Sequence, residues 1–328
     1  MKIGLIGFGE WARTAHLPVL KGLGDVEIAA VAARSSATRE RARSLIGDAV
    51  RTTPDYRELL AAPDIEAVMV AVPNAMHREV ALAVMRARKH LFLELPVALT
   101  PQDVAAVLEA AESFQGVVQF DFELRYMPVC DALHEIVREG ALGRPLSATV
   151  DLRCGWAYGG GSFNEPSARD GFYVWLGAWY LDVLDLLLGG PLPTRAQVGG
   201  GRAMSGPMLD HGHAVLEYDN RAIGRFTHTL ISTRPEVSVT AALLCDHGEL
   251  AADLSSGTIT QHLPKGQARQ TSHPPKQPIY GWAGMRESIE GFVAAIRTGV
   301  PVKGNVQVAR RVHKAVFACH EADQTARQ

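Results

Sequence analysis

The sequence predicts a two-domain protein of the α/β plus α+β class. An N-terminal Rossmann-type, doubly wound parallel sheet is followed by a mostly antiparallel, open C-terminal sheet with helices on one face. The 328 residues exceed the length at which one hydrophobic core usually divides. Short apolar runs alternate with amphipathic stretches up to residue 122, and strand-like runs separated by turns dominate later. We therefore expect domains at 1–122 and 123–328.

The N-terminal half has the strand–helix alternation of a parallel sheet. Apolar runs of strand length occupy residues 3–6, 28–32, 67–72, 90–93 and 117–120. Helix-like stretches lie between them at 11–23, 38–45, 56–60, 76–87 and 101–113. Strands with so few charges are typical of parallel sheets that are covered by helices on both faces.

The C-terminal half changes to an antiparallel pattern. A helix at 127–138 and a strand at 146–152 precede a long helix at about 171–188. Turns at 218–221 and 245–248 divide the region 195–263 into hairpin strands. Helices are expected at 285–297 and 306–323, and the Gln-, Pro- and Lys-rich stretch 265–277 is expected to be an exposed loop.

The composition excludes several classes of protein. Lys and Arg number 33 and Asp and Glu 35, so the net charge of −2 argues against a nucleic-acid partner. The longest apolar stretch, 172–181, is much shorter than the ~20 residues of a membrane-spanning helix. No signal-peptide pattern opens the chain, so we expect a cytoplasmic protein without a membrane partner. The cysteines and the pair His211 and His213 lack the spacing of a ligand set, so no metal is expected.

A dinucleotide motif follows the first predicted strand. It reads Gly7-Phe8-Gly9-Glu10-Trp11-Ala12, which is G-x-G-x-x-A at the start of a helix. The first glycine permits a tight turn, the second lets a pyrophosphate approach the backbone, and the alanine permits close helix–strand packing. The free N–H groups of the helix N-terminus favour the anion.

The end of the second strand indicates which dinucleotide binds. NAD sites usually carry an acidic residue there for the ribose hydroxyls. This chain has Ala33 followed by Arg34 and Ser35. A guanidinium and a hydroxyl suit a 2′-phosphate, so NADP(H) is favoured over NAD(H).

The chain resembles the Gfo/Idh/MocA oxidoreductase family over nearly its whole length. The matching stretches, in order, are V-P-N-A-M-H at 72–77, K-H-L-F-L-E-L-P at 89–96, R-Y at 125–126, G-A-L-G at 140–143 and F-V-A-A-I-R-T-G at 292–299. The resemblance implies that Pro73, Asn74 and His77 lie along the nicotinamide side of the cofactor. It also implies that Glu94 and Pro96 form the turn beside it, with Glu94 mainly shaping that turn.

The departures from the family bear on catalysis. The family's E-K-P lysine is Leu95 here, and the Asp and His of its D-x-G-x-H helix are Trp175 and Trp179, whereas Gly177 and Asp182 remain. Oxidation of an alcohol needs a base for the hydroxyl proton, which contributes ~10²- to 10⁴-fold. None of the three replacements can act as that base.

Other residues are candidates for these roles. Tyr126, Tyr180 and Asp182 are the candidate acid/base groups, although each tyrosine could equally be a core side chain. The resemblance implies that the helix carrying Trp175 and Trp179 faces the nicotinamide. We therefore predict that Trp156, Trp175 and Trp179 form an aromatic wall for an apolar or sugar-like substrate.

Three functions fit these features. The first is an NADP(H)-dependent oxidoreductase with a non-standard proton donor that reduces a carbonyl or imine of a small molecule. The second is a catalytically silent dinucleotide-binding sensor, and the third is a redox-neutral lyase or glycosidase that retains its cofactor. The family resemblance and the open sheet also predict a homodimer or homotetramer formed through the C-terminal sheet.

Overall fold

The computed structural model describes residues 1–159, 171–204, 208–234, 236–277 and 283–326. The chain forms two compact units. The first contains Met1–Asp121 and Met285–Ala309, and the second contains Phe122–Gly284 and Arg310–Gln328. The sequence-based division at 122/123 assigned residues 285–309 to the second domain, whereas in the structure this segment clusters with the first unit. Among the described residues, no helix is both long and apolar enough to cross a membrane.

The first unit is built on a six-stranded parallel sheet with the order β3-β2-β1-β4-β5-β6. Its strands are β1 Lys2–Ile6, β2 Glu27–Ala32, β3 Arg51–Thr53, β4 Ala67–Val70, β5 His90–Leu93 and β6 Val118–Phe120. The helices among them are α1 Leu17–Gly22, α2 Ser36–Ile46, α3 Tyr56–Ala61, α4 His77–Arg86 and α5 Pro101–Ser113. The prediction of a doubly wound parallel sheet is confirmed. The short edge strand β3 is missing from the sequence prediction because it has only three residues and no apolar run.

The second unit is built on an eight-stranded sheet with the order β14-β13-β12-β11-β7-β10-β9-β8. The strands are β7 Pro145–Arg153, β8 Pro193–Gly201, β9 His211–Tyr218, β10 Ile223–Thr229, β11 Ser238–Cys245, β12 Glu249–Asp253, β13 Thr258–Leu263 and β14 Gln267–Ser272. Only the β7–β10 pair is parallel among these described strands. The predicted mostly antiparallel sheet is therefore confirmed.

Four helices complete the described structure. Helices α6 Pro128–Glu139 and α7 Ala178–Leu188 belong to the second unit, and α7 packs on β7 and β10. Helix α8 Met285–Thr298 belongs to the first unit, and α9 Val306–Ala326 follows it. Helix α7 is buried along most of its length, since it lies on the apolar face of the large sheet.

The expectation of a loop at 265–277 is wrong for its central part. Residues Gln267–Ser272 form β14, which pairs antiparallel with β13 at the edge of the sheet. Five of its six side chains are exposed, so its sequence has no alternation of apolar and polar residues. An edge strand needs no apolar face when no helix covers it, and polar edges also resist aggregation. The sequence pattern therefore could not distinguish this strand from a loop.

Candidate functional site

The glycine loop after β1 has the geometry that its motif predicts. Gly7 has a φ of 89°, and a Cβ there would lie 2.2 Å from the Ala71 carbonyl oxygen, so only glycine fits. A Cβ on Gly9 would meet no described atom within 4 Å, which leaves the approach to this backbone open. Ala12 is buried at the start of the following helix. The loop therefore suits a close-lying pyrophosphate.

The remaining residues of the motif point in different directions. The Phe8 side chain is buried in the first unit, and Glu10 is exposed to solvent. A π-helical segment, Ala12–His16, continues directly into α1. Together the two segments fill most of the predicted helix 11–23. Trp11 is half-buried, and its Nε1 donates to Glu94 Oε1 at 2.6 Å. The motif is thus tied to the turn that follows β5.

The loop after β2 presents basic and hydroxyl groups at the start of α2. Arg34 is exposed, and its Nη2 lies 3.1 Å from the Met76 sulfur. Ser35 is the N-cap of α2, but its side chain caps no N–H group within the described part of the chain. Arg39 Nη1 donates to the carbonyl oxygens of Ala33 and Arg34 at 2.8 and 2.6 Å, which holds the loop against the helix.

The turn after β4 carries a buried amide and a buried imidazole. Asn74 Nδ2 is inaccessible to solvent and has no hydrogen-bond acceptor among the described residues. His77 Nδ1 lies 2.6 Å from the Pro96 carbonyl oxygen and its Nε2 2.9 Å from the Val72 carbonyl oxygen. Both ring nitrogens face carbonyl oxygens, and a neutral ring donates to one of them, so His77 ties this turn to the one after β5. Pro73 is exposed, and the orphan amide of Asn74 fits a cofactor acceptor group.

A second group of polar residues, which the sequence did not reveal, surrounds Glu94. His16 Nε2 lies 2.5 Å from Glu94 Oε1, and ligand-type atoms of His16, Glu94 and Asp121 all lie within 4.8 Å of one another. All three side chains are buried. A signal was present for Asp121, since a carboxylate between Phe120 and Phe122 is unusual in an apolar run.

The protonation of this group is strongly perturbed. Burial raises the pKa of Glu94 to about 7, and the donors Trp11 and Asp121 oppose the shift in part. Burial and the charge of Glu94 raise the pKa of Asp121 well above its ordinary value. Burial lowers the pKa of His16 to about 4, so its ring is neutral at neutral pH. The group therefore holds its protons on the carboxyls.

In the second unit, Asp182 belongs to a buried ion-pair network. Arg125 Nε donates to Asp182 Oδ1 and its Nη2 to Asp185 Oδ2, both at 2.5 Å. Arg311 also binds Asp185, with Nε–Oδ1 at 2.7 Å. Burial raises the pKa of Asp182 to about 7, against the opposing charge of Arg125. The predicted acid/base group Asp182 thus has one oxygen held by an arginine.

The two candidate tyrosines have different surroundings. The Tyr180 ring stacks on Phe226 of β10, with centroids 5.5 Å apart and planes at 14°. Its side chain therefore packs in the core between α7 and the sheet, where burial raises its pKa well above the ordinary value. Tyr126 ends a 3₁₀ turn, Glu123–Tyr126, next to the arginine of the ion-pair network, and is also buried.

The three predicted tryptophans are half-buried in the second unit. Trp156 lies in a 3₁₀ turn after β7, Trp175 in a π-helical segment before α7, and Trp179 in the first turn of α7. The indole Nε1 of Trp179 donates to a carboxylate oxygen of Glu123. Glu123 is buried and was missed by the sequence analysis, although it stands two residues before Arg125 in the family-like R-Y stretch. A carboxylate thus lies beside the residue that replaces the family's histidine.

Two family models match the chain. The model described as an oxidoreductase family with an NAD-binding Rossmann fold matches residues 1–122, and the model for the GFO/IDH/MocA C-terminal domain matches residues 130–251. The chain therefore belongs to the Gfo/Idh/MocA family of oxidoreductases.

Two curated relatives share about 30% of the aligned residues. A 1,5-anhydro-D-fructose reductase of Ensifer adhaerens is 31% identical over 147 residues, which is 45% of this chain and 44% of the relative. An inositol 2-dehydrogenase of Salmonella typhimurium is 29% identical over 147 residues, or 44% of each chain. The chain thus aligns with less than half the length of these relatives.

Solved structures share the fold along nearly the whole chain. A levoglucosan dehydrogenase in complex with NADH has a TM-score of 0.86 at 19% identity, covering 99% of this chain and 97% of that one. GenD2 from gentamicin A biosynthesis, in complex with NAD, has a TM-score of 0.81 at 19% identity, covering 99% and 95%. At such identity the likeness establishes the fold alone.

Proposed function

We propose that this protein is an NADP(H)-dependent oxidoreductase that reduces a carbonyl or imine group of a small, sugar-like substrate. The observation that carries the proposal is the loop after β2. No acidic residue follows the strand or lies in the first turn of α2. Arg34 is exposed at the start of this helix, and the hydroxyl of the N-cap residue Ser35 makes no capping hydrogen bond within the described chain. A 2′-phosphate would find a guanidinium, a hydroxyl and a helix N-terminus there.

The missing base favours the reducing direction of the reaction. Leu95, Trp175 and Trp179 replace the ionisable groups that the family resemblance implies. Reduction requires less of the protein, since a tyrosine, a carboxylic acid or a water can supply the proton while the cofactor supplies the hydride. Relatives named for 1,5-anhydro-D-fructose, inositol and levoglucosan support a sugar-like substrate. Trp156, Trp175 and Trp179 offer faces on which a sugar ring could stack.

The outer face of the large sheet supports a homo-oligomer. Ala214 and Leu216 of β9 are buried. Leu244 of β11 and Ile223 of β10 point outward, with 47% and 37% of their surface exposed, and each pairs with Ser147 of β7. An apolar pair in the middle of an open sheet suits burial against a second copy.

The test combines cofactor titration with two assays. NADPH and NADH are titrated by fluorescence, and NADPH consumption is followed with 1,5-anhydro-D-fructose, aromatic ketones and cyclic imines. NADP⁺ reduction is followed with myo-inositol and levoglucosan. We expect tighter binding of NADPH than of NADH, with turnover in the reducing direction. Tight NADPH binding without any turnover would identify a sensor instead, and equal or tighter NADH binding would contradict the cofactor preference.

A further inference from the structure

Three titratable residues from distant parts of the chain meet at the carboxyl edge of the parallel sheet. Glu94 directly follows β5 and Asp121 directly follows the neighbouring strand β6. The backbone N–H of Asp121 donates to the Leu93 carbonyl at 2.9 Å, which fixes the two strand ends side by side. His16 comes from the segment after β1 and brings its Nε2 to 2.5 Å from Glu94 Oε1. In a doubly wound sheet this edge is where a dinucleotide binds.

We call these three residues the acid cluster, and a hydrogen bond from α8 fixes its Asp121 carboxyl. Ser288 Oγ of α8 donates to Asp121 Oδ1 at 2.6 Å, and Gln119 Nε2 donates to that Ser288 oxygen at 2.8 Å. Two ligands of one zinc ion stand roughly 3 to 3.5 Å apart. The His16–Glu94 separation is shorter than that and is a hydrogen-bond distance. We therefore interpret the cluster as a site that shares protons.

The cluster cannot carry two full negative charges at neutral pH. Among the described residues, the groups that act on Glu94 and Asp121 are each other, His16, the indole of Trp11, the backbone of Leu95 and the hydroxyl of Ser288. None of them is a lysine or an arginine side chain. Two buried carboxyls at this distance retain at least one proton. Because the pKa of Glu94 is about 7, the second proton is only partly bound at neutral pH.

Two features couple the cluster to the cofactor site. Trp11 belongs to the glycine motif and donates directly to Glu94, so one hydrogen bond separates the loop from the cluster. Residue 95, next to Glu94, is Leu95 rather than the lysine implied by the family resemblance. No ammonium group at this position therefore offsets the cluster's charge. A positive charge arriving at the carboxyl edge acts on the cluster through a low-dielectric interior.

We propose that the His16–Glu94–Asp121 cluster is a proton store whose occupancy follows the redox state of the bound cofactor. The proton on Glu94 stays bound when the reduced, neutral nicotinamide is present. It is released when the oxidised, cationic form is bound. This inference rests on the proposed function, because it requires a nicotinamide cofactor in the first unit.

The proposal agrees with the stoichiometry of carbonyl reduction. A hydride adds to the carbonyl carbon, the C=O π electrons move to oxygen, and the resulting alkoxide takes up one proton. A nicotinamide cofactor bound in the first unit would supply this hydride and would become cationic. Glu94 releases one proton to solvent as the positive charge forms, and the alkoxide takes up one proton, so the two exchanges cancel and the net proton uptake falls.

Isothermal titration calorimetry tests the proposal without a substrate. NADP⁺ and NADPH are titrated at pH 7 in two buffers of different ionisation enthalpy, which yields the number of protons exchanged on binding. We expect NADP⁺ to release more protons on binding than NADPH does, with a difference of up to about one proton, because a cation lowers the affinity of Glu94 for its proton. The 2′-phosphate is common to both cofactors, so its own titration cancels in the difference.

Variants assign the proton to the cluster. Glu94→Gln and Asp121→Asn should each abolish the difference between the two cofactors. Glu109→Gln is the matched control, since Glu109 is an exposed carboxylate on α5. If the cluster variants fail to fold, the wild type still decides. Its ratio of NADP⁺ to NADPH dissociation constants should fall about 3- to 10-fold between pH 6 and pH 8, because a nearby cation lowers the affinity of Glu94 for its proton.

Two failures can be distinguished. If neither cofactor binds, the proposed function is overturned and the proton store with it. If both bind but exchange equal numbers of protons, and the ratio of dissociation constants does not change with pH, the proton store alone is overturned. A difference that persists in Glu94→Gln and Asp121→Asn would likewise exclude the cluster as its source.

Discussion

His16 and Glu94 lie 78 residues apart in the sequence, yet the imidazole Nε2 and the carboxyl Oε1 are separated by only 2.5 Å in a site closed to solvent. Burial has opposite effects on the two groups, since it lowers the pKa of His16 to about 4 and raises that of Glu94 to about 7. Both shifts favour the uncharged form. The protonation of Glu94 in this contact therefore changes at pH values near neutrality.

The first prediction is a fall in stability as the pH rises through the folded pKa of Glu94, which is about 7. Between the ordinary pKa of a glutamate and its folded value of about 7, the folded state binds the proton of Glu94 more tightly than the unfolded state. The free energy of unfolding then decreases as pH rises, by up to ~1.4 kcal/mol per pH unit for each proton. His16 has the opposite slope, because its folded pKa is lowered, but its effect is complete above pH ~6.5. Urea unfolding of wild type and Glu94→Gln at pH 6.5 to 8 measures the difference.

Removal of the carboxyl should flatten this profile. Glu94→Gln eliminates the part of the slope that Glu94 contributes, whereas the shares of Asp121 and of Asp182, whose pKa is also about 7, remain. Identical slopes in the variant and the wild type would mean that Glu94 is ionised in the folded protein throughout this range.

The second prediction concerns cofactor selectivity. Arg34→Ala should weaken NADPH binding by ~1 to 3 kcal/mol, the range for a lost charge-assisted hydrogen bond, and leave NADH binding nearly unchanged. Arg41→Ala is the control, because Arg41 is an exposed arginine on the same helix α2. Fluorescence titration with both cofactors gives the dissociation constants. Equal loss for NADH and NADPH would show that Arg34 does not contact the 2′-phosphate.

The third prediction concerns the buried ion pairs of the second unit. Arg125→Met leaves Asp182 without its cation in a site closed to water, which should lower the free energy of unfolding by ~3 to 5 kcal/mol. Asp185 is affected less, because Arg311 still binds it. Arg138→Met removes an exposed ion pair with Glu135 and should cost less than ~1 kcal/mol. Similar unfolding midpoints for the two variants in urea would contradict a structural role for Arg125.

The fourth prediction separates the two tyrosines. Tyr180 stacks on Phe226 in the core, and removal of its hydroxyl should leave the rate of carbonyl reduction within about threefold. Tyr126→Phe should lower the rate ~10²-fold without weakening NADPH binding, as expected for loss of a proton donor. Steady-state rates with the best carbonyl substrate and NADPH titrations provide the comparison. A large rate loss in Tyr180→Phe alone would reverse the assignment.

The fifth prediction tests the outer sheet face. The wild type should sediment as a dimer or tetramer at micromolar concentration, and Leu244→Glu should shift it toward the monomer by placing a charge in an apolar interface. Val300→Glu is a matched control, since Val300 is an exposed apolar residue in the first unit. A monomeric wild type, or equal effects of both substitutions, would exclude this face as the interface.

The sequence predicted most of the fold because its signals are local. The apolar runs that became β1, β2, β4, β5 and β6 lie between amphipathic stretches, and each can be recognised within a window of about ten residues. The strands that were missed are β3 and β14, which lie at sheet edges. Edge strands bury fewer side chains, so their sequences carry less of the alternation on which such a prediction depends.

The sequence by itself determined the glycine loop, the absent acid after β2 and the loss of the family's lysine, aspartate and histidine, since each depends on the identity of residues at known spacing. Only the tertiary structure decided what surrounds the remaining polar groups. Parallel strands joined by crossover helices bring their carboxyl ends together, so Glu94 and Asp121 become neighbours and His16 joins them. Desolvation then shifts their proton affinities. Burial of this kind is a property of the folded chain as a whole, and no local pattern of residues encodes it.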